Sequence, residues 1–285
     1  MPTTNTARPE HDRTPHGWPA GKTLAVFLDV MLEGWPPDSP PHNSTSNPVK
    51  PGFIDTRGLS WAEYGPKTGA PRLAKIFAAA GVHGTFFTSG VIAERYPDLV
   101  ARIAQDGHSV QCHGWTQNLP NLYLDEAQEK DTIARSREIL TRVTGNRPDG
   151  WLSPRVTASV RTPALLAAAG FRWHNDANDA DMPYRKSTPA GEIIALPFGN
   201  EINDQRLHLG LGTPVETYSA TVARMLTRWY ARHPEPACLD ITVHAHVFGR
   251  PSGAMEFERA IELVQRADFA WITTQDAVAK AMFPR

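Results

Sequence analysis

Short apolar runs of strand length alternate with helix-length segments along almost the whole chain, and this constrains the fold more than any other feature. Residues 22–29 (KTLAVFLD) read as a first buried strand, being apolar, short and bounded by polar turns. Residues 71–80 (PRLAKIFAAA) carry helical periodicity, and Gly81 closes them as a C-terminal glycine does. The pattern then repeats: strand 84–88, helix 97–104, strand 108–112, helix 124–143, a strand near Trp151, helix 162–169 and strand 171–173. Strand 193–197, helix 214–232, strand 239–244, helix 255–266, strand 270–273 and a short terminal helix complete it. Strands that alternate with helices, with no linker between them, predict a single α/β domain: a parallel-stranded, distorted (β/α) barrel over residues 21–285.

Two segments stand outside the pattern. Residues 1–20 are polar and proline-rich and read as a flexible arm, with neither the apolar core of a signal peptide nor a membrane span. A long Pro/Ser/Asn loop covers 34–59, and loops of that length in a compact domain are usually functional or disordered. A net charge of -1 gives no reason to expect nucleic acid or an anionic membrane as partner. Two cysteines cannot build a disulfide scaffold, and the default location is cytoplasmic.

In barrels of this kind reactive side chains gather at the C-terminal ends of the strands. Asp29, His113, Arg155, Asp176 and His244 all fall just after predicted strands, so they are expected to share a cleft. Residues 107–117 (GHSVQCHGWTQ) have the frame of a hydrolase metal segment, since His-x-x-x-His offers two imidazoles to one cation. Here the second position is Gln117, and an amide is a poor ligand for zinc.

Several motifs, in order, resemble the polysaccharide deacetylase (NodB-homology) family over roughly residues 22–284. They are Glu63-Tyr64-Gly65, Gly84-Thr85-Phe86-Phe87, Gly107-His108 with His113-Gly114, and Thr144-Gly145-x-Arg147-Pro148. Gly150-Trp151, Asp181-Met182-Pro183-Tyr184 and the segment 244–251 (HAHVFGRP) follow. The resemblance implies the distorted barrel and, in the metal-dependent branch, an Asp-His-His triad beside an aspartate base. This chain departs from that triad: Asp29 falls at the base position, Val30 or Met31 at a ligand position, and Gln117 replaces the second histidine. The sequence is more similar to an allantoinase-like branch, which includes metal-independent hydrolases of small amides. That likeness lies at Leu32-Glu33-Gly34, 150–155 (GWLSPR), 176–184, 196–206 and 244–251.

Amide hydrolysis needs an activated water, cover for an oxyanion and an acid for the leaving nitrogen. The candidate catalytic residues are Asp29 or Glu33 as base, His113, and His244 as acid. The candidate substrate contacts are Gln117, Arg155, Trp115, Asp181, Glu201 and His246. Arg155 suits a carboxylate or carbonyl through its planar fork, and Trp35, Trp61 and Trp115 suit apolar walls. Asp176, Asp179 and Asp181 fit turn chemistry and the orientation of Arg155. No cofactor is expected; the alternative is a divalent cation such as zinc, held by His113 with Asp29 or Glu33. The expected function is hydrolysis of a small linear or cyclic amide, imide or ureide. The alternatives are a metal-dependent N-deacetylase of an acetylated sugar and a non-catalytic ligand-binding protein. By the family likeness the protein is a homodimer or homotetramer.

Overall fold

The computed structural model describes residues 18–39, 41, 49–50 and 53–284; most of the expected arm and part of the 34–59 loop lie outside the described residues. In chain order the elements are β1 (Leu24–Leu32), α1 (Thr56–Tyr64), α2 (Ala70–Ala80), β2 (Thr85–Thr88), α3 (Gly90–Arg95) and α4 (Pro97–Gln105). Next come β3 (Ser109–Cys112), α5 (Glu126–Thr144), β4 (Gly150–Trp151), α6 (Thr162–Ala168), β5 (Trp173–Ala177), β6 (Tyr184–Thr188) and β7 (Gly191–Pro197). The chain closes with α7 (Thr217–Arg224), β8 (Ala237–His244), α8 (Pro251–Gln265), β9 (Ala270–Thr273) and α9 (Gln275–Met282).

The strands form one sheet in the order β6-β7-β5-β4-β3-β2-β1-β8, with β9 also pairing β1. All pairs are parallel except the β6–β7 hairpin. The two ends of the sheet are drawn together where residues 199–203 run along β8. There Gly199 donates its N–H to Asp240, Thr242 donates to the Ile202 carbonyl, and Asn203 bridges Thr242.

Alternation along β1 divides the core into two layers. Leu24, Val26, Leu28, Val30 and Leu32 face outward, against helix residues such as Phe77, Phe257 and Ile261. Ala25, Phe27 and Met31 face inward with Phe87, Leu152, Trp173 and Leu196. Both faces of the strand are thus apolar, as a parallel strand covered by helices requires. Each fully buried side chain of this size contributes about 1.5–3 kcal/mol.

The structure adjusts several sequence boundaries. β1 runs three residues beyond 29, because Val30, Met31 and Leu32 continue the buried run. The 34–59 loop yields to α1 from Thr56, capped by the Asp55 carboxylate, which accepts the Gly58 N–H. α8 begins at Pro251, four residues before the expected 255, since proline is at home in a first helical turn. The β6 strand went unread because its sequence, YRKST, is polar and only partly buried. The arm ends earlier than residue 20. Trp18 is 3% exposed, packs against Trp271 and donates its indole N–H to the Ala237 carbonyl. Among the described residues no helix is long and apolar enough to cross a membrane.

Candidate active site

A cavity of about 900 Å³ opens at the C-terminal ends of the strands. Its floor is Met31 and Leu152, its walls include Trp35 and Phe198, and its buried polar end holds Glu33, His113 and His244. The register of β1 explains this arrangement. Met31 pairs with Phe87 on one side and His244 on the other, so His244 stands at cavity level. Glu33 lies two residues further along the same face. Gly34 follows it because a Cβ there would fall 2.5 Å from Val91 and 2.9 Å from Ile92, so only glycine lets the chain pass.

Three imidazoles converge on the Glu33 carboxylate. His113 Nε2 is 3.3 Å from Oε1, His244 Nε2 is 3.8 Å from Oε1, and His246 Nε2 is 3.9 Å from Oε2. All four side chains are buried. Burial alone would raise the Glu33 pKa, but the charges of the histidines, His244 foremost, and the bond from His113 outweigh it and hold the carboxyl at about 2. His113 Nδ1 lies 3.0 Å from the Leu152 carbonyl, which can only accept, so Nδ1 carries a proton and Nε2 faces Glu33.

His244 is held from behind by Asp204. Its Nδ1 donates to Asp204 Oδ1 at 2.6 Å, and Asp204 Oδ2 accepts the backbone N–H of His244 at 2.8 Å and of Phe248 at 3.1 Å. Burial lowers the His244 pKa, yet the carboxylates of Asp204 and Glu33 more than compensate, and the net shift is upward. With Nδ1 turned to Asp204, Nε2 faces Glu33 and the cavity, and the upward shift favours the form in which Nε2 also carries a proton. His246 behaves oppositely: burial outweighs Glu33 and brings it down to about 4, so it is neutral. Its ring sits between Trp35 and Trp61, edge-on at 5.2 and 4.5 Å between centroids. Among the described residues neither His246 nitrogen nor Glu33 Oε2 has a hydrogen-bond partner, so polar capacity is left at the buried end of the site.

The opposite wall is the turn 153–157. Ser153 donates its N–H and its hydroxyl to Asp176 at 2.7 and 2.9 Å, and burial brings Asp176 up to about 6 despite those bonds. Arg155 and Val156 follow in the left-handed region, at φ 56° and 53°. Arg155 lines the cavity, and Arg206 contributes to its rim together with Asn178 and Asn200.

The structure thus gathers Glu33, His113, His244, Arg155, Gln117 and His246 and leaves four expected site residues elsewhere. Asp29 lies two residues below Met31, about 6–7 Å down the strand, among the buried polar groups inside the barrel. It accepts a bond from Gln275 at 2.7 Å, and Asp29 does not line the cavity. The cause of the misplacement is the extra length of β1. Trp115 packs against Gly90 and under the Arg135 guanidinium, 4.0 Å from its ring, on the helix side of the sheet. Asp181 and Glu201 are exposed and line no part of the cavity. Gln117 is 2% exposed and its amide is engaged within the protein: it donates to Ser89 at 3.0 Å and the His113 carbonyl at 2.7 Å, and accepts from the Arg155 N–H at 3.1 Å. Gln117 also lines the cavity, so these bonds to the frame of the site are made by a side chain at the expected substrate position. Asp204 is the partner of His244; forty residues separate them, and no local spacing reveals the pair.

The polysaccharide deacetylase family model matches residues 62–174. The chain is 23% identical to a peptidoglycan deacetylase of Helicobacter pylori over 251 residues, covering 76% of this chain and 84% of that one. Among solved structures it resembles PuuE allantoinase, with a TM-score of 0.85 and 25% identity over 96% of both chains. It is also similar to a probable polysaccharide deacetylase from Pseudomonas aeruginosa PAO1, with a TM-score of 0.84 and 26% identity over 94% of each chain.

Proposed function

We propose that the chain, a hydrolase of carbon–nitrogen bonds other than peptide bonds that resembles the polysaccharide deacetylase family over residues 62–174, opens a small linear or cyclic amide, imide or ureide without a tightly held metal. The observation that carries this reading is the acid–base set at the buried end of the cavity: the Glu33 carboxylate among three imidazoles, with His244 backed by Asp204. The donor set supports the absence of metal. Met31 offers only a thioether, the Gln117 amide is spent on protein partners, and His113 alone is left of a triad. Among the described residues no group of three or more His, Cys, Asp or Glu is disposed to hold a metal ion.

In the proposed reaction the substrate carbonyl lies between Glu33 and Arg155. Glu33 draws a proton from water as the water oxygen attacks the carbonyl carbon. The Arg155 guanidinium covers the developing oxyanion. His244 Nε2 then passes its proton to the departing nitrogen, while Asp204 keeps the ring in the required tautomer. A carboxylate held near 2 is a weak base on its own. Its low value rests on the charge of His244, so it becomes more basic as His244 releases its proton, and the two transfers are coupled. His113, bonded through Nδ1 to the Leu152 carbonyl, orients the carboxylate.

The test is a hydrolysis screen of cyclic imides, ureides, formyl-amides and acetyl-amides, with N-acetylated sugar oligomers as the contrasting set. Turnover of small amides or ureides is expected. Turnover of acetylated sugars alone would place the chain with the sugar deacetylases instead.

A further inference from the structure

We propose that Gln117 is a positioning residue whose amide locks the His113 and Arg155 segments, and through Ser89 the segment of Glu33, into a single frame. The inference rests on the amide-hydrolysis reading above and adds a role for Gln117 that acts through its neighbours. Four bonds radiate from this one buried side chain and its backbone. The Gln117 N–H donates to the carbonyl of Gly34, the residue next to Glu33, at 2.9 Å. Its Nε2 donates to the His113 carbonyl at 2.7 Å and to Ser89 Oγ at 3.0 Å. Its Oε1 accepts the Arg155 N–H at 3.1 Å. Ser89 closes the network from the other side: its oxygen accepts the Gly34 N–H at 3.3 Å and donates to the His113 carbonyl at 3.5 Å. The side-chain amide thus joins the segments of His113 and Arg155 directly, and the segment of Glu33 through Ser89 and the Gln117 backbone.

The Arg155 bond bears a specific load. Arg155 and the β-branched Val156 both occupy left-handed backbone conformations, which L residues avoid unless the surroundings enforce them. The enforcement is visible. Asp176 pins Ser153, and Pro154 packs so closely on Gly114 that a Cβ there would fall 2.3 Å from its ring. Gln117 holds the Arg155 N–H. A hydrocarbon in place of the amide would leave that N–H and the His113 carbonyl without their buried partners. The turn could then relax towards ordinary φ, and the guanidinium would leave the cavity wall.

The experiment compares Gln117→Leu and Gln117→Glu, each alone and in an Arg155→Ala background, for kcat, KM and the exchange rate of the Arg155 amide proton. Gln117→Glu retains an acceptor for the Arg155 N–H but loses the donors to His113 and Ser89. It is expected to keep KM within about threefold while kcat falls at least tenfold. Gln117→Leu is expected to lower kcat/KM at least a hundredfold, to raise KM, and to expose the Arg155 amide to fast exchange. In the Arg155→Ala background its effect on KM is expected to vanish, because it acts through that side chain. Wild-type kinetics in both Gln117 variants, effects that multiply independently with Arg155→Ala, or an Arg155 amide equally protected in Gln117→Leu would overturn the proposal. If Leu prevents folding, the KM-against-kcat split of Gln117→Glu decides it. A wild-type protein that turns over no amide refutes the functional reading, and amide exchange in the folded variants then decides the role of Gln117 separately.

Discussion

Replacing Asp204 by asparagine removes the charge behind His244 while keeping the shape of the side chain. The carboxylate accepts four N–H groups: the His244 ring, the backbone of His244 and Phe248, and the backbone of Gln205. Asparagine has one oxygen, so its NH2 must face donors, and the arrangement that keeps the His244 and Phe248 bonds sets the NH2 against the His244 ring. That reverses the tautomer and withdraws the charge that favours imidazolium. A carboxylate and an imidazolium with charge centres about 4 Å apart attract by roughly 4 kcal/mol at an effective dielectric of about 20. Relaxation leaves about 2–4 kcal/mol, equivalent to ~1.5–3 pKa units at His244. His244 is proposed to act in its protonated form, so activity falls as pH rises through its pKa. Asp204→Asn should move that basic limb of kcat/KM to lower pH by at least ~1.5 units and, at pH above the wild-type limb, cut kcat/KM by ~30- to 1000-fold. The assay is the pH–rate profile of both proteins on the best substrate, with thermal melting as a control for folding. A folded Asp204→Asn enzyme within about threefold of wild type, its basic limb unmoved, would refute the assignment of His244 as the acid.

Two further outcomes follow from the same geometry. Glu33→Gln keeps the volume at the centre of the three imidazoles but removes the base, and kcat/KM should fall by ~10²–10⁴-fold with the protein still folded; retention of more than a tenth of wild-type activity would point to another base. Deep in the barrel, burial pushes the Asp240 carboxyl up to about 7, although the Gly199 N–H opposes it. A raised acid pKa favours the folded state below the unfolded value near 4, and that advantage is lost as pH rises to about 7. Wild-type stability should therefore decline from pH 5 to pH 8, and Asp240→Asn should be the more stable protein at pH 8 by ~1–4 kcal/mol in urea denaturation. Equal pH dependence of the two proteins would remove Asp240 as the cause.

The parts of this fold that lie in buried parallel strands were legible, because a strand covered on both faces must be apolar along its length. Residues 270–273 and 84–88 coincide with β9 and β2 to within a residue for that reason. The β6 strand was not legible, since an exposed hairpin at the sheet end needs no apolar run. His113, His244 and Arg155 could be found because each follows a strand, and the barrel geometry delivers strand ends to one cleft. Asp29 misled for the same reason: the run VML continues β1 beyond it and carries it below the floor. Nothing in the sequence tells which face Trp115 turns to, or that Asp204 returns across forty residues to His244. Gln117 could be recognised as a departure from a metal pair, but its bonds to Gly34, His113 and Arg155 depend on how three distant segments meet.

Glu33 and His244 are proposed to hydrolyse a carbon–nitrogen bond with no tightly held cation. The most direct measurement is steady-state turnover of the purified protein before and after prolonged chelation, with metal content determined on the same samples. Metal well below stoichiometric, on the order of 0.1 per chain or less, and an unchanged kcat after chelation are expected. One zinc per chain, with activity lost on its removal and recovered on its return, would contradict the proposal.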